Sequence, residues 1–150
     1  MKLLLTDDLG RLARYLRLMG HDATLAKNVA LPDLYRQAYN DERVVLTRNA
    51  HVSSSGLFRV VHIESPTLGE QLQQVARELG IAVREEDLFT RCDRCNVPVE
   101  PIDKAAVQDR VPPFVFETQQ TFVTCPSCNR IYWDATHCRR LRATFQTLGS

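Results

Sequence analysis

Two Cys-x-x-Cys pairs, Cys92/Cys95 and Cys125/Cys128, stand 29 residues apart (96–124), and nothing else in the chain restricts the fold as much. Each pair forms a tight turn that aims two thiolates at one point. Two such turns supply the four soft ligands of a closed tetrahedral zinc site. The expected zinc ligands are therefore Cys92, Cys95, Cys125 and Cys128. The competing readings are a disulfide pair or a thioredoxin-like redox motif. Neither predicts a second matching pair, and the redox motif normally accompanies a βαβ pattern. Four thiolates leave no open coordination position, so this feature speaks to how the second half folds and little to activity.

Charge excludes a global attraction to nucleic acid or membrane. The chain of 150 residues carries 19 Lys and Arg against 18 Asp and Glu, so any such affinity comes from a local patch. The apolar start Leu3-Leu4-Leu5 runs directly into Thr6-Asp7-Asp8 and is too short for a signal peptide. No apolar run approaches a membrane span, and no membrane partner is expected. Thiolate-type cysteine pairs fit a reducing compartment, and a cytoplasmic protein is expected.

Along the first half, strand-like and helix-like patterns alternate. Residues 2–6 form an apolar run suited to a buried strand, and Asp7 or Asp8 is placed to cap the helix that follows. That helix carries Leu9, Leu12, Ala13, Leu16 and Met19 on one face, with Arg11, Arg14 and Arg17 on the other. Gly20 ends it. A strand over 21–26, a helix over 32–39, a β-branched strand over 44–47 and a strand over 59–63 come next. A helix starting at Ser65-Pro66 ends at Gly80. This alternation implies a parallel sheet covered on both faces. After about residue 81 the pattern changes to prolines, short strands and cysteine turns. A short helix is expected over 104–109, strands over 114–116, 121–124 and 130–133, and an arginine-rich helix from Thr136 to Leu141. Two modules result, 1–90 and 91–150. The second is too small to fold on its own core without its metal.

Several short motifs together resemble the Mut-seven C-terminal family. They are Asp8-Leu9-Gly10-Arg11-Leu12-Ala13-Arg14-Tyr15-Leu16-Arg17 followed by Gly20-His21-Asp22, then Leu46-Thr47-Arg48-Asn49, and Glu70-Gln71-Leu72. Arg91-Cys92 with Cys95-Asn96, Val111-Pro112-Pro113, Cys125 with Cys128, and Tyr132-Trp133 followed by His137 complete the set. The resemblance spans nearly the whole chain. It implies a PIN-like three-layer α/β sandwich with a parallel sheet, followed by a zinc ribbon. It also implies a ribonuclease whose carboxylates gather at strand ends around one or two magnesium or manganese ions. Such ions orient a water and stabilise charge on the phosphate.

This sequence departs from the family pattern at two places. The family's first aspartate falls on Thr6, and the aspartate after Leu-Thr-Arg falls on Asn49. Asp7 and Asp8 stand next door, but adjacent strand residues point to opposite faces. They substitute only if the backbone has already turned at Thr6. Their plain reading is helix capping. Thr47 and Arg48 are candidate site residues because strand ends hold ligands in this fold class, or else a strand-end cap and a surface charge. Asn49 is a candidate metal or phosphate contact, or a turn residue bonding its own backbone. Glu64 and Asp33 are further acids, each also readable as a helix-start residue.

The basic residues divide similarly. Arg11, Arg14, Arg17 and Arg48 form a candidate RNA-binding face beside the acidic strand end, against the ordinary reading of a solvated helix. Arg130, Arg139, Arg140 and Arg142 extend that surface or simply charge a terminal helix. Trp133 reads as ribbon core before base-stacking platform. His137 reads as a packed structural residue and Cys138 as a free thiol. Three function classes remain: a metal-dependent ribonuclease, a non-catalytic RNA-binding module of the same fold, and a protein-interaction scaffold. RNA is the expected ligand. Cleavage stays open because two carboxylates are missing.

Overall fold

In the computed structural model, residues 1–54, 56–134 and 136–148 are described, the side chains of 136–138 and 148 excepted. His137 and Cys138 therefore lie outside the described side chains. Strands β1 (Lys2–Thr6), β2 (Asp22–Ala26), β3 (Val44–Thr47) and β4 (Val60–His62) form a parallel sheet in the order β2-β1-β3-β4. Leu3, Leu4 and Leu5 of β1 are fully buried. Alternation sends them to opposite faces. Leu3 and Leu5 join Leu46 beneath α1 (Gly10–Leu18) and α3 (Leu68–Leu79). Leu4 joins Val45, Leu34, Ala38 and Val52 beneath α2 (Leu31–Asn40). A sheet buried on both faces explains why β1 and β3 read as continuous apolar runs. The expected α/β sandwich with a parallel sheet is thus what the chain forms.

Local details differ from the sequence reading in informative ways. The chain turns immediately after Thr6: Asp7–Leu9 is a single 3-10 turn, and α1 starts at Gly10. Neither Asp7 nor Asp8 caps a helix with its side chain. Gly80 ends α3 in the left-handed conformation, φ 65°. Gly20 has φ 94°, and a Cβ there would lie 2.5 Å from the Asp87 carbonyl. Glycine is required there both by φ and by space. Ser65-Pro66 precedes α3 and does not open it, because Thr67 is the residue before the first helical turn. Residues 113–118, expected to include a strand, are helical (α4, Pro113–Thr118). Pro113 in the first turn favours helix, since its missing N–H would have no partner there anyway.

The ribbon consists of β5 (Glu100–Ile102), β6 (Phe122–Thr124) and β7 (Ile131–Tyr132), paired antiparallel in that order. Val107, Val111 and Phe122 form its small core, with Ile131 and Trp133 against them. The terminal helix α5 (Thr136–Leu148) is longer than the sequence pattern suggested, and it leaves the ribbon. Its Phe145 is fully buried in the α/β core, edge-on to Tyr15 at a centroid distance of 6.3 Å. Arg142 stacks over Phe89 at 5.1 Å and reaches Glu85 and Asp134 at 2.7 and 2.8 Å.

Burial makes one titration part of this core. His21 follows Gly20, and desolvation, helped by the charges of the N-terminal amine and Arg91, lowers its pKa from 6.5 to about 4. The unfolded chain therefore takes up this proton first as pH falls. The stability from neutral His21 is complete above pH 6.5 and is lost progressively down to about pH 4. The expected loss is about 2 kcal/mol once partial exposure is allowed for. Thermal denaturation of zinc-saturated protein between about pH 7 and 4.5, the window of this linkage, should fall more steeply for the natural sequence than for His21→Gln. Equal slopes would show that His21 is not held neutral.

Candidate metal centre and strand-end site

The four cysteines converge as their spacing requires. All four Sγ atoms lie within 4.8 Å of one another, and Cys92 and Cys128 are 3.9 Å apart. A tetrahedral zinc with Zn–S bonds of about 2.3 Å places sulfurs ~3.8 Å apart. The two turns are built alike. Asn96 N–H donates to the Cys92 carbonyl and Asn129 N–H to the Cys125 carbonyl, at 3.0 and 2.8 Å. Both asparagines take left-handed φ, 60° and 62°, which asparagine tolerates better than most residues. Backbone amides point at sulfur: Cys95 N–H to Cys92 Sγ at 3.4 Å, and Ser127 and Cys128 N–H to Cys125 Sγ at 3.4 and 3.5 Å. Burial disfavours the Cys92 thiolate, but nearby backbone amides and the Tyr132 hydroxyl, whose single proton is shared between Cys92 Sγ at 3.0 Å and Asp93 Oδ1 at 2.9 Å, outweigh it, bringing Cys92 to about 7. Donor type and spacing fit zinc, which would tie the two turns together.

The first cysteine turn is also fastened to the parallel sheet. Arg17 is buried, its Nε donating to the Ala23 carbonyl at 2.8 Å and its Nη1 to the Asp93 carbonyl at 2.9 Å. Asn96 accepts from Ala23 N–H at 3.0 Å and donates to Asp22 at 2.7 Å. Ala23 lies on the open edge of β2, so this asparagine and arginine satisfy edge groups that the sheet leaves unpaired. Arg14 donates through two nitrogens to Asp93 Oδ2, at 3.2 and 2.9 Å, and the Tyr132 hydroxyl donates to Oδ1 at 2.9 Å. Burial would raise the Asp93 carboxyl, but these bonds hold it below its usual value. Arg17 was expected on the outward stripe; it is a structural strut. Asp93, Asn96 and Asp22 were not foreseen. The matching asparagine after each cysteine pair was the available signal.

At the ends of β1 and β3, Thr6 Oγ1 lies 2.6 Å from Asp8 Oδ1 and 2.9 Å from Thr47 Oγ1. Thr47 is fully buried, and its hydroxyl accepts from Asn49 N–H at 3.0 Å. The Thr6 hydroxyl has one proton, and the Asp8 carboxylate takes it, so the Thr47 hydroxyl is the donor to Thr6. The early turn after Thr6 is what lets Asp8 fold back onto the strand end. Asn49 is exposed, and its Oδ1 accepts from His51 N–H at 2.9 Å. This is the turn-forming role weighed against metal contact. Asp7, Arg48 and Glu64 are exposed, and Glu64 N–H donates to Gln74. Asp33 pairs with Arg36 within α2, as a helix-start acid does. Among the described residues, the four cysteines are the one group of three or more potential ligands brought together; the acids form no comparable cluster. A three-acid strand-end centre is therefore not what these side chains make.

No helix among the described residues is long and apolar enough to cross a membrane. No curated protein and no solved structure matches the chain. The family described as Mut7-C RNAse domain matches residues 1–145. The parallel sheet, the clustered cysteines and this match over nearly the entire length agree: the chain belongs to the Mut7-C RNAse domain family.

Proposed function

We propose that the protein acts on single-stranded RNA at the ends of β1 and β3, with a reduced, metal-dependent nuclease site. Asp8 supplies the carboxylate there, and the ribbon is held by zinc. The observation that carries this reading is Asp8 folded back to within 2.6 Å of Thr6, which itself touches Thr47. A carboxylate displaced by two residues thereby reaches the point where the family pattern places an aspartate. A magnesium or manganese ion at this point would supply charge neutralisation of the phosphate and an activated water. Asp8 would hold it, while Thr6 and Thr47 orient that carboxylate. Asn49 contributes no charge, so affinity for a hard cation is low, because such binding rests on carboxylate oxygens. The exposed Arg48 directly follows β3 at this end of the sheet and suits backbone phosphates. The protein is read as cytoplasmic, in keeping with its paired thiols.

The test compares cleavage of single-stranded RNA in manganese by three proteins. Asp8→Asn should lose about 10–100-fold in rate, the scale expected when support of a metal site is removed. Thr6→Asp combined with Asn49→Asp should cleave faster than the natural sequence and at lower manganese. Unchanged cleavage in Asp8→Asn would overturn the assignment of the site. RNA binding without cleavage in any of the three would leave a binding module in place of an enzyme.

A further inference from the structure

A cleft of about 870 Å³ opens between α1, β7 and α5, away from the strand ends. Four arginines line it: Arg11 and Arg14 from α1, Arg130 just before β7, and Arg140 from α5. Asp93 is the one acid in the lining, and Arg14 and the Tyr132 hydroxyl already satisfy it. Among the described residues, no salt bridge involves Arg11, Arg130 or Arg140, although the charge of Arg130 helps Arg14 hold the Asp93 carboxyl down. The formal charge of the whole chain is +1, so this concentration of arginine is a local feature of one cavity. Like charges around a cavity repel, and an anion bound there relieves that repulsion. The floor is different in kind: Leu18, Phe89 and the half-buried Trp133 give it an apolar surface. Trp133 meets Phe122 edge to face at 6.4 Å and packs against the ribbon core.

A cationic rim over an apolar, partly aromatic floor matches the two halves of a nucleotide, phosphate and base. The volume lies in the range of ligand pockets. An acidic peptide would satisfy the rim but leave the floor without a flat partner. We infer that this cleft is a second RNA subsite. It holds an unpaired base against Trp133 and Leu18, with the neighbouring phosphates on Arg11, Arg130 and Arg140. The inference rests on the RNA reading above and extends it. Arg11 follows Asp8 by only three residues, so one single strand reaches both places. The ribbon and α5, which line the cleft through Arg130, Trp133 and Arg140, then act as the clamp that holds the strand.

Trp133 is the only tryptophan in the chain, so stacking of a base has a direct optical readout. Short single-stranded oligouridylate is titrated into the zinc-loaded full-length protein, following intrinsic fluorescence together with the anisotropy of labelled RNA. Saturable quenching with the same midpoint as the anisotropy is expected. In Arg130→Ala with Arg140→Ala, that midpoint should rise about tenfold. The slope of log affinity against log salt should become shallower by about 1.4, since each of two phosphates left without its arginine accounts for ~0.7 on a single strand. Both residues are exposed, and circular dichroism checks that the variant folds. RNA bound with unchanged affinity by that variant would overturn the subsite while leaving RNA recognition intact. No binding by the natural protein would overturn both. Tighter quenching by oligoglutamate than by RNA would reassign the cleft to an acidic protein partner.

Discussion

Cys125→Ser is expected to abolish stoichiometric zinc and to unfold more than the ribbon. Cys125 is fully buried, and its sulfur accepts from two backbone amides at the ligand cluster. Structural zinc in small domains contributes apparent binding free energies of about 10–16 kcal/mol near neutral pH. The ribbon core of Val107, Val111 and Phe122 is too small to replace that. The sequence pattern alone suggests that residues 1–90 would survive this loss. The buried Arg17 and Asn96 contacts argue otherwise, because they join the first cysteine turn to the β2 edge. Without the turn, Ala23 N–H loses Asn96 and Arg17 loses the Asp93 carbonyl, and each broken bond costs about 0.5–1.5 kcal/mol. Elemental analysis should give one zinc per natural chain and none in the variant. Hydrogen exchange should show the Ala23 amide losing protection while the central Leu4 and Leu5 amides keep most of theirs. Unchanged protection at Ala23 would mean that the ribbon folds and unfolds independently of the sheet.

Phe145→Ala should cost about 3–5 kcal/mol of global stability, the range for removing a buried aromatic. Phe145 is fully buried among Leu12, Leu16 and Leu72 and meets Tyr15 edge to face. Its removal opens a cavity in the α/β core and not in the ribbon, although the residue lies 17 positions after Cys128. Urea denaturation followed by far-ultraviolet circular dichroism measures the change. A loss below about 1 kcal/mol, well under that range, with the ribbon fluorescence of Trp133 altered instead, would place α5 with the ribbon. The larger loss assigns α5 to the α/β unit and makes the chain between the two cores a loop out and back.

Features with a short physical range were legible in the sequence. The run Leu3-Leu4-Leu5, ending in acids, suits a buried strand, and it forms one. Gly80 closes α3 because glycine takes positive φ without steric cost. The paired Cys-x-x-Cys spacing marks the four cysteines as one ligand set, and their sulfurs do converge. The tertiary structure decided the rest. Arg11, Arg14 and Arg17 recur every three residues, but a helix has about 3.6 per turn, so each step drifts by about 60°. By Arg17 the stripe has rotated into the seam between α1 and the first cysteine turn, where burial and three carbonyl partners hold it. Whether Asp8 could reach the place of the missing aspartate depended on where the chain bends. That bend is fixed by packing Leu9 into the core, a contact between residues distant in sequence. The same holds for Phe145: no local pattern says which of two cores an amphipathic terminal helix will cover, because that choice is made by the surface available to bury it.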